Sequence, residues 1–361
     1  MNVLEQPREA ASARSTVDVA VLIPLHGSAG LFGPSCELCA RLAAEEINAQ
    51  GGVLGRELRL YVIDGSGSPP RIAGRVEALV AAGRVDAVVG WHISAVRRVV
   101  APRVAMRVPY VYTALYEGGE STPGVFLVGE TPDVQLLPAM RFLASERGVS
   151  RWAIVGNDYV WPWRTAAAAH DYASLAGAEI CDELFVPLST ERFATVIGRL
   201  LAGRADGVIM LLVGQDAARF NRAFADAGLD ESCCRLSTLV DENTLLASGA
   251  DGAHDLWASA AYFESLVTPE GLAFGARYTA RFGAAAPALN APAESCYEGL
   301  LLLNALAGAA GSLDAAAISD AARRTEYQGP RGDLRLSGGH LQQRIYLAEA
   351  DGFGFDVRAQ L

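Results

Sequence analysis

The sequence predicts an α/β protein of two doubly wound parallel-sheet lobes, and three observations predict it. Apolar residues make up 51% of the 361 and charged residues 20%, ample material for burial in a chain longer than a single core usually grows. From Val17 onward, short apolar runs alternate with amphipathic stretches, the pattern of strands covered on both faces by helices. Around Gly129–Pro132 this alternation pauses and then restarts, which gives two similar halves.

In chain order, Val17-Asp-Val-Ala-Val-Leu-Ile-Pro24 is the first strand, followed by a loop with Gly27, Gly30 and Gly33. Across Ser35–Gln50 the residues Cys36, Cys39, Ala43 and Ile47 recur at helical spacing, and Gly51-Gly52 ends the helix. The unit repeats as Leu58–Ile63 with Arg71–Ala82, and as Ala87–Gly90 with Ser94–Met106, before a further strand near Tyr110. The second block has strands at Trp152–Gly156, Leu184–Pro187, Gly207–Val213, Leu236–Leu239 and Leu256–Ala261. Helices at Ala166–Ala176, Arg192–Leu201 and Asp216–Ala227 separate them. Three late helices, Gly271–Phe282, Ala293–Leu306 and Leu313–Arg324, precede a tail rich in glycine turns. That tail reads as short antiparallel strands able to cover the edges of either sheet.

Composition removes several functions. All 30 basic residues are Arg, so Schiff-base, Walker-A and lysine-base chemistry are excluded. A net charge of −11 with no basic stripe repels nucleic acid, so no direct nucleic-acid binding is expected. No window reaches the 18 or so apolar residues of a membrane span. Met1 to Thr16 carries no apolar run behind a basic start, so no signal peptide is recognisable and a cytoplasmic location with reduced cysteines is expected. A lost signal peptide would make the location periplasmic. Five scattered histidines give no metal-ligand spacing, and no metal or cofactor is expected. Gly27-x-x-Gly30-x-x-Gly33 is not a dinucleotide fingerprint, and Cys36-Glu-Leu-Cys39 lies on the apolar face of its helix, where core packing outweighs a redox role. Without an assembled nucleophile, base and oxyanion set, the chain does not read as an enzyme.

What remains is a set of aromatic and hydroxyl-bearing loops at the carboxyl ends of strands, where open α/β sheets bind ligands. Gly90-Trp-His-Ile-Ser94 brings His92 and Ser94 to a helix start, and Tyr110-Val-Tyr-Thr113 brings Tyr112 and Thr113 to the end of the next strand. Tyr159 and Trp161 occupy the corresponding loop of the second half, and Gly214 ends a further strand there.

Ala44-Glu-Glu-Ile-Asn-Ala-Gln-Gly-Gly-Val-Leu-Gly-Arg56, Tyr116-Glu-Gly118, Asp158-Tyr-Val-Trp-Pro162 and His340 with Arg344-Ile345 resemble the type I periplasmic-binding-protein superfamily. The Tyr-Glu-Gly and Asp-Tyr-x-Trp-Pro pieces are closer to its amide and urea branch, which includes the cytoplasmic sensor of an amidase operon. The resemblance implies two lobes joined by three crossovers near residues 130, 262 and 329. Residues 1–130 with 263–328 would form one lobe, and 131–262 with 329–361 the other. It implies a pocket of Ser94, Tyr112, Tyr159 and Trp161, with His92, Thr113 and Gly214 nearby, closing on a small neutral amide or urea-like solute. A charged solute would lack a partner among these residues. The output would pass to an RNA-binding antitermination regulator, or through self-association. The alternative role is the receptor of an importer for short-chain amides, urea or branched-chain amino acids.

Overall fold

The computed structural model describes residues 15–361. The segment before them, on which the signal-peptide expectation rests, lies outside the described residues. The first half runs β1 (Thr16–Ile23), α1 (Gly33–Ala49), β2 (Glu57–Asp64), α2 (Pro69–Ala81), β3 (Ala87–Gly90), α3 (Ser94–Val104), β4 (Tyr110–Tyr112) and β5 (Val125–Leu127). The second runs α4 (Pro132–Arg147), β6 (Arg151–Asn157), α5 (Val160–Leu175), β7 (Glu179–Val186), α6 (Ala194–Ala202), β8 (Gly207–Leu211), α7 (Gln215–Asp226), β9 (Cys234–Ser237), α8 (Glu242–Ser248) and β10 (Leu256–Ala260). Then follow α9 (Pro269–Phe282), α10 (Ala291–Ala310), α11 (Ala315–Ala321), β11 (Glu326–Gly329), β12 (Gly332–Ser337), β13 (His340–Gln342), β14 (Tyr346–Asp351) and β15 (Gly354–Gln360).

Two mixed sheets result, ordered β11-β12-β13-β5-β4-β3-β1-β2 and β15-β14-β10-β9-β8-β6-β7. Their central strands are parallel and their tail strands pair mostly antiparallel. All eight residues of β1 are buried, as a strand with helices on both faces requires, whereas β2 at the sheet edge alternates between buried and exposed positions. Helix α1 packs along α10, and Cys36 and Cys39 lie in that contact, fully buried and unpaired. Burial, reinforced by neighbouring thiols, pushes both thiol pKa values well up, which agrees with core packing and removes nucleophilic reactivity. Gly90 ends β3 with φ +153°, and a Cβ there would stand 2.1 Å from the Leu22 carbonyl oxygen, so only glycine lets the chain turn against β1.

Three elements depart from the sequence reading. Helix α4 covers residues to which the sequence assigns no element: Pro132 starts it at a position that needs no amide donor, and Pro138 and scattered charges blur its apolar stripe. Helix α8 is short and depends on the Asp241 side chain capping Thr244 N at 2.8 Å. The third crossover also moves: β11, β12 and β13 extend the first sheet through Gln342, so residues 329–342 sit with the first lobe, and the chain passes to the second sheet between Gln342 and Tyr346. The boundary near 329 fails because pairing of β13 with β5 is a long-range match that local turn signals do not encode. The passages between sheets are tied to one another. Ala261 N donates to Glu130 Oε1 (2.8 Å), Gln343 Nε2 donates to the Val128 carbonyl (3.0 Å), and buried Arg331 pairs with Glu294 and with Gln343.

Candidate functional site

The carboxyl ends of β3, β4 and β9 and the start of α5 meet where the lobes face each other. On the first lobe, His92 is held inside by two tyrosines: Tyr110 Oη lies 2.8 Å from its Nε2, and Tyr112 Oη donates to its carbonyl at 2.7 Å. Its Nδ1 faces the Ile93 carbonyl at 3.3 Å, so both ring nitrogens are engaged within the lobe. Burial drives its pKa down to about 3, keeping the ring neutral. His92 thus positions Tyr112 and presents no free ring nitrogen to a solute. Ser94, buried at the first turn of α3, accepts from Arg97 Nη1 at 3.3 Å.

Arg97 is the residue the sequence reading missed. Its guanidinium lies over the rings of Tyr112 (5.1 Å) and Tyr116 (4.6 Å), and bonds Glu117 Oε1 (2.8 Å) and Glu120 Oε2 (3.0 Å). A helical arginine three residues after a candidate serine shares its face, which is the one signal that could have found it.

From the second lobe, half-buried Tyr159 and buried Trp161 stand 6.2 Å apart by ring centroid. Burial raises the Tyr159 phenol pKa, and the nearness of Tyr112 and Glu117 across the cleft raises it further. Trp161 Nε1 and, one helical turn on, Thr165 Oγ1 are buried without a hydrogen-bond partner among the described residues.

Deeper in, Thr113 turns toward α10, its hydroxyl 3.7 Å from Cys296 Sγ, and lines a cavity of about 20 Å³ between the lobes. Trp91 and Leu115 of the first lobe and Thr238 to Asp241 of the second share its wall with Glu130, Ala260 and the start of α10. Thr238 Oγ1 and Asp241 Oδ2 are buried there without a partner. Burial, opposed by the Thr244 hydroxyl and amide, raises the Asp241 pKa to about 6. Asp241 and the Glu117–Arg97–Glu120 cluster thus add charged groups to the serine, tyrosine and tryptophan side chains of the expected pocket.

Gly214 belongs elsewhere. With φ +46°, it lets the second lobe reach the first, since a Cβ there would stand 2.2 Å from the Ser28 carbonyl oxygen. Beside it, Ser28 Oγ donates to Asp216 Oδ1 (3.0 Å) and accepts from Ser189 N (2.9 Å), while Asn157 Nδ2 donates to Asp216 Oδ2 (2.8 Å). The two Ser28 bonds latch the lobes together, and the Asn157 bond braces Asp216 within the second lobe. The cavity of about 20 Å³ lined by Thr113 and Asp241 admits a solute only if the lobes part.

Among the described residues no group of His, Cys, Asp and Glu could hold a metal ion, and no single helix is long and apolar enough to cross a membrane.

Comparison with known proteins agrees with this geometry. "Leu/Ile/Val-binding protein homolog 6" of Brucella melitensis is 29% identical over 215 residues, 57% of this chain. The match takes in 54% of that relative, so the chain spans about half the length of the curated relatives it matches. A solute binding protein of an ABC transporter from Rhodopseudomonas palustris, solved with p-hydroxybenzoic acid, shares the fold at a TM-score of 0.83 and 21% identity, over 96% of each chain. A leucine binding protein from Thermotoga maritima does so at a TM-score of 0.83 and 19% identity, over 96% of this chain and 98% of its own. The family described as periplasmic binding protein matches residues 16–354, and with two α/β lobes closing on a cleft of buried polar groups the chain belongs to that family.

Proposed function

We propose that this chain is the solute receptor of an importer, holding between its lobes a small solute that presents N–H donors. One observation carries the reading. Asp241 Oδ2 and Thr238 Oγ1 sit unpartnered in a cavity walled by both lobes, where a buried acceptor costs about 1–3 kcal/mol until a donor reaches it. Short-chain amides, urea and branched-chain amino acids all supply such donors. The structural relatives named as ABC-transporter solute-binding proteins favour the importer over the amide sensor with its RNA-binding regulator, which rests on Tyr116-Glu-Gly118 and Asp158-Tyr-Val-Trp-Pro162 alone.

Calorimetric titration of the purified chain with propionamide, urea, leucine, isoleucine and p-hydroxybenzoate tests the binding. At least one N–H-bearing solute should bind with micromolar or better affinity, and Asp241→Asn should weaken it tenfold or more. Heat from none of them, or an affinity indifferent to Asp241, would sink the reading. Import further requires a location outside the cytoplasmic membrane and loss of solute uptake on deletion. Cytoplasmic fractionation with copurification of an RNA-binding protein would return the choice to the sensor.

A further inference from the structure

The passages between the lobes converge on a small buried set of charges. Glu294 and Glu298 lie one helical turn apart on α10, both fully buried. Arg331, from the turn between β11 and β12, brings its Nε to 2.5 Å from Glu294 Oε2, an ion pair not aligned as a hydrogen bond. Its Nη1 donates to Gln343 Oε1 in the third passage. Gln343 in turn donates to the Val128 carbonyl beside the first passage, where buried Glu130 accepts from the Ala261 amide of the middle one. Tyr327 of β11 neighbours Glu298, while Tyr262 of the middle passage and Cys39 of α1 neighbour Glu294.

The charges do not balance. Three carboxyl groups, those of Glu130, Glu294 and Glu298, share one guanidinium in a place closed to solvent. Both oxygens of Glu294 and both of Glu298 lack a hydrogen-bond partner among the described residues. A Cβ on Gly329 would stand 2.1 Å from Glu298 Oε1, so the backbone of β11 closes directly on that carboxyl. Two neighbouring carboxylates without donors cannot both stay ionised, and one proton between them supplies what each lacks. Burial raises both pKa values, and the charge of Glu294 lifts Glu298 further, with Arg331 opposing at each.

We propose that Glu294 and Glu298 share one proton that stabilises the closed arrangement of the crossovers, and that the protein gives it up when the lobes part. Glu130 carries the coupling. It lines the inter-lobe cavity, so opening lets solvent screen the charge with which it disfavours a second anion at Glu294. Arg331 and α10 belong to the same lobe, so the pull of the guanidinium survives opening. A pair that binds its proton more tightly in the closed form favours closure at low pH, and this preference is lost as pH rises through the closed-form titration. The device holds whichever solute the cleft takes.

Burial also raises Asp216 in the latch and Asp241 at the cavity, so the test changes α10 and leaves both in place. Small-angle scattering of the full chain without solute, from about pH 5.5 to about pH 9, reads closure. The radius of gyration of wild type should grow as pH rises. Glu298→Gln, a neutral mimic of the protonated pair, should lose most of that growth and stay compact. Infrared spectra in heavy water should show a protonated-carboxyl band in the difference between wild type and variant, fading with pH in step with the growth. Should Glu298→Gln lose its cooperative melt, Glu294→Gln removes the like charge and should lose the same band and the same growth. Equal growth in variant and wild type, no growth in wild type, or a difference spectrum without the band each overturns the proposal. No solute is read in these measurements, so each of those outcomes leaves the receptor reading standing.

Discussion

At Asp241 one carboxylate serves two places, since Oδ1 caps α8 while Oδ2 is left without a hydrogen-bond partner in a residue that lines the inter-lobe cavity. Its pKa of about 6 exceeds the usual value near 4, so the folded protein holds this proton more tightly than the unfolded chain. Stability from this group is then full below about pH 4, declines as pH rises to about 6, and is constant above; the difference is roughly 3 kcal/mol. Asp241→Asn keeps a capping side chain, so the wild-type-minus-variant stability from urea melts should fall across pH 4–6 and level off. Solute affinity should rise through about pH 6 in wild type and stay flat and weaker in the variant; parallel profiles would remove Asp241 from the site. Trp161 separates stability from binding in another way. Trp161→Phe deletes an unpartnered N–H but leaves a small void, two effects of about 1–3 kcal/mol and opposite sign, so stability should change by less than about 1 kcal/mol. If the indole meets the solute, affinity should drop five- to fiftyfold, and an unaltered Kd would exclude it. The places of Ser94, Tyr112, Tyr159 and Trp161 at strand ends and helix starts were legible from the alternation of elements. Arg97 was not, because a helical arginine reads as surface until Glu117 and Glu120, 20 and 23 residues on, bury it.

Elements with one clean periodicity were legible, and elements held by distant partners were not. The β1–α1 and β3–α3 units follow from apolar runs and glycine stops, and the structure places them within a residue or two of expectation. Helix α4 hides behind two prolines, and β5 is three residues long and exists through its neighbours β4 and β13. At the start of α7, Gly214 belongs to the contact between lobes more than to its helix. Gly214→Ala puts a methyl group against the Ser28 carbonyl at a backbone angle alanine disfavours. We expect each lobe to keep its fold, with far-ultraviolet circular dichroism unchanged, while solute affinity falls at least tenfold because closure is obstructed. A wild-type affinity in this variant would show that the latch contact plays no part in binding.

Across the whole molecule, closure balances the latch at Ser28, Ser189 and Asp216 against the freedom of the crossovers, and a solute biases it only by its preference for the closed form. Ser28→Ala removes about 1 kcal/mol of that latch, so solute affinity should fall roughly fivefold and the radius of gyration without solute should grow in small-angle scattering. Equal scattering curves for variant and wild type would mean that other contacts hold the lobes. The two-lobe plan was legible from the break and restart of the alternation, whereas the route of the tail depends on long-range pairing that no local pattern carries. That route has a consequence for how the protein is made. Strands β11 to β13 cover β5, and β14 covers β10, so both sheets stand with a bare edge until these strands have left the ribosome. The amino-terminal lobe cannot finish ahead of the other, as independent domains do, and it also waits for α10 to fill the groove along α1. Nascent chains arrested before Glu326 should be protease-sensitive in both halves and prone to edge-to-edge association, so neither half is safe until these tail strands have paired.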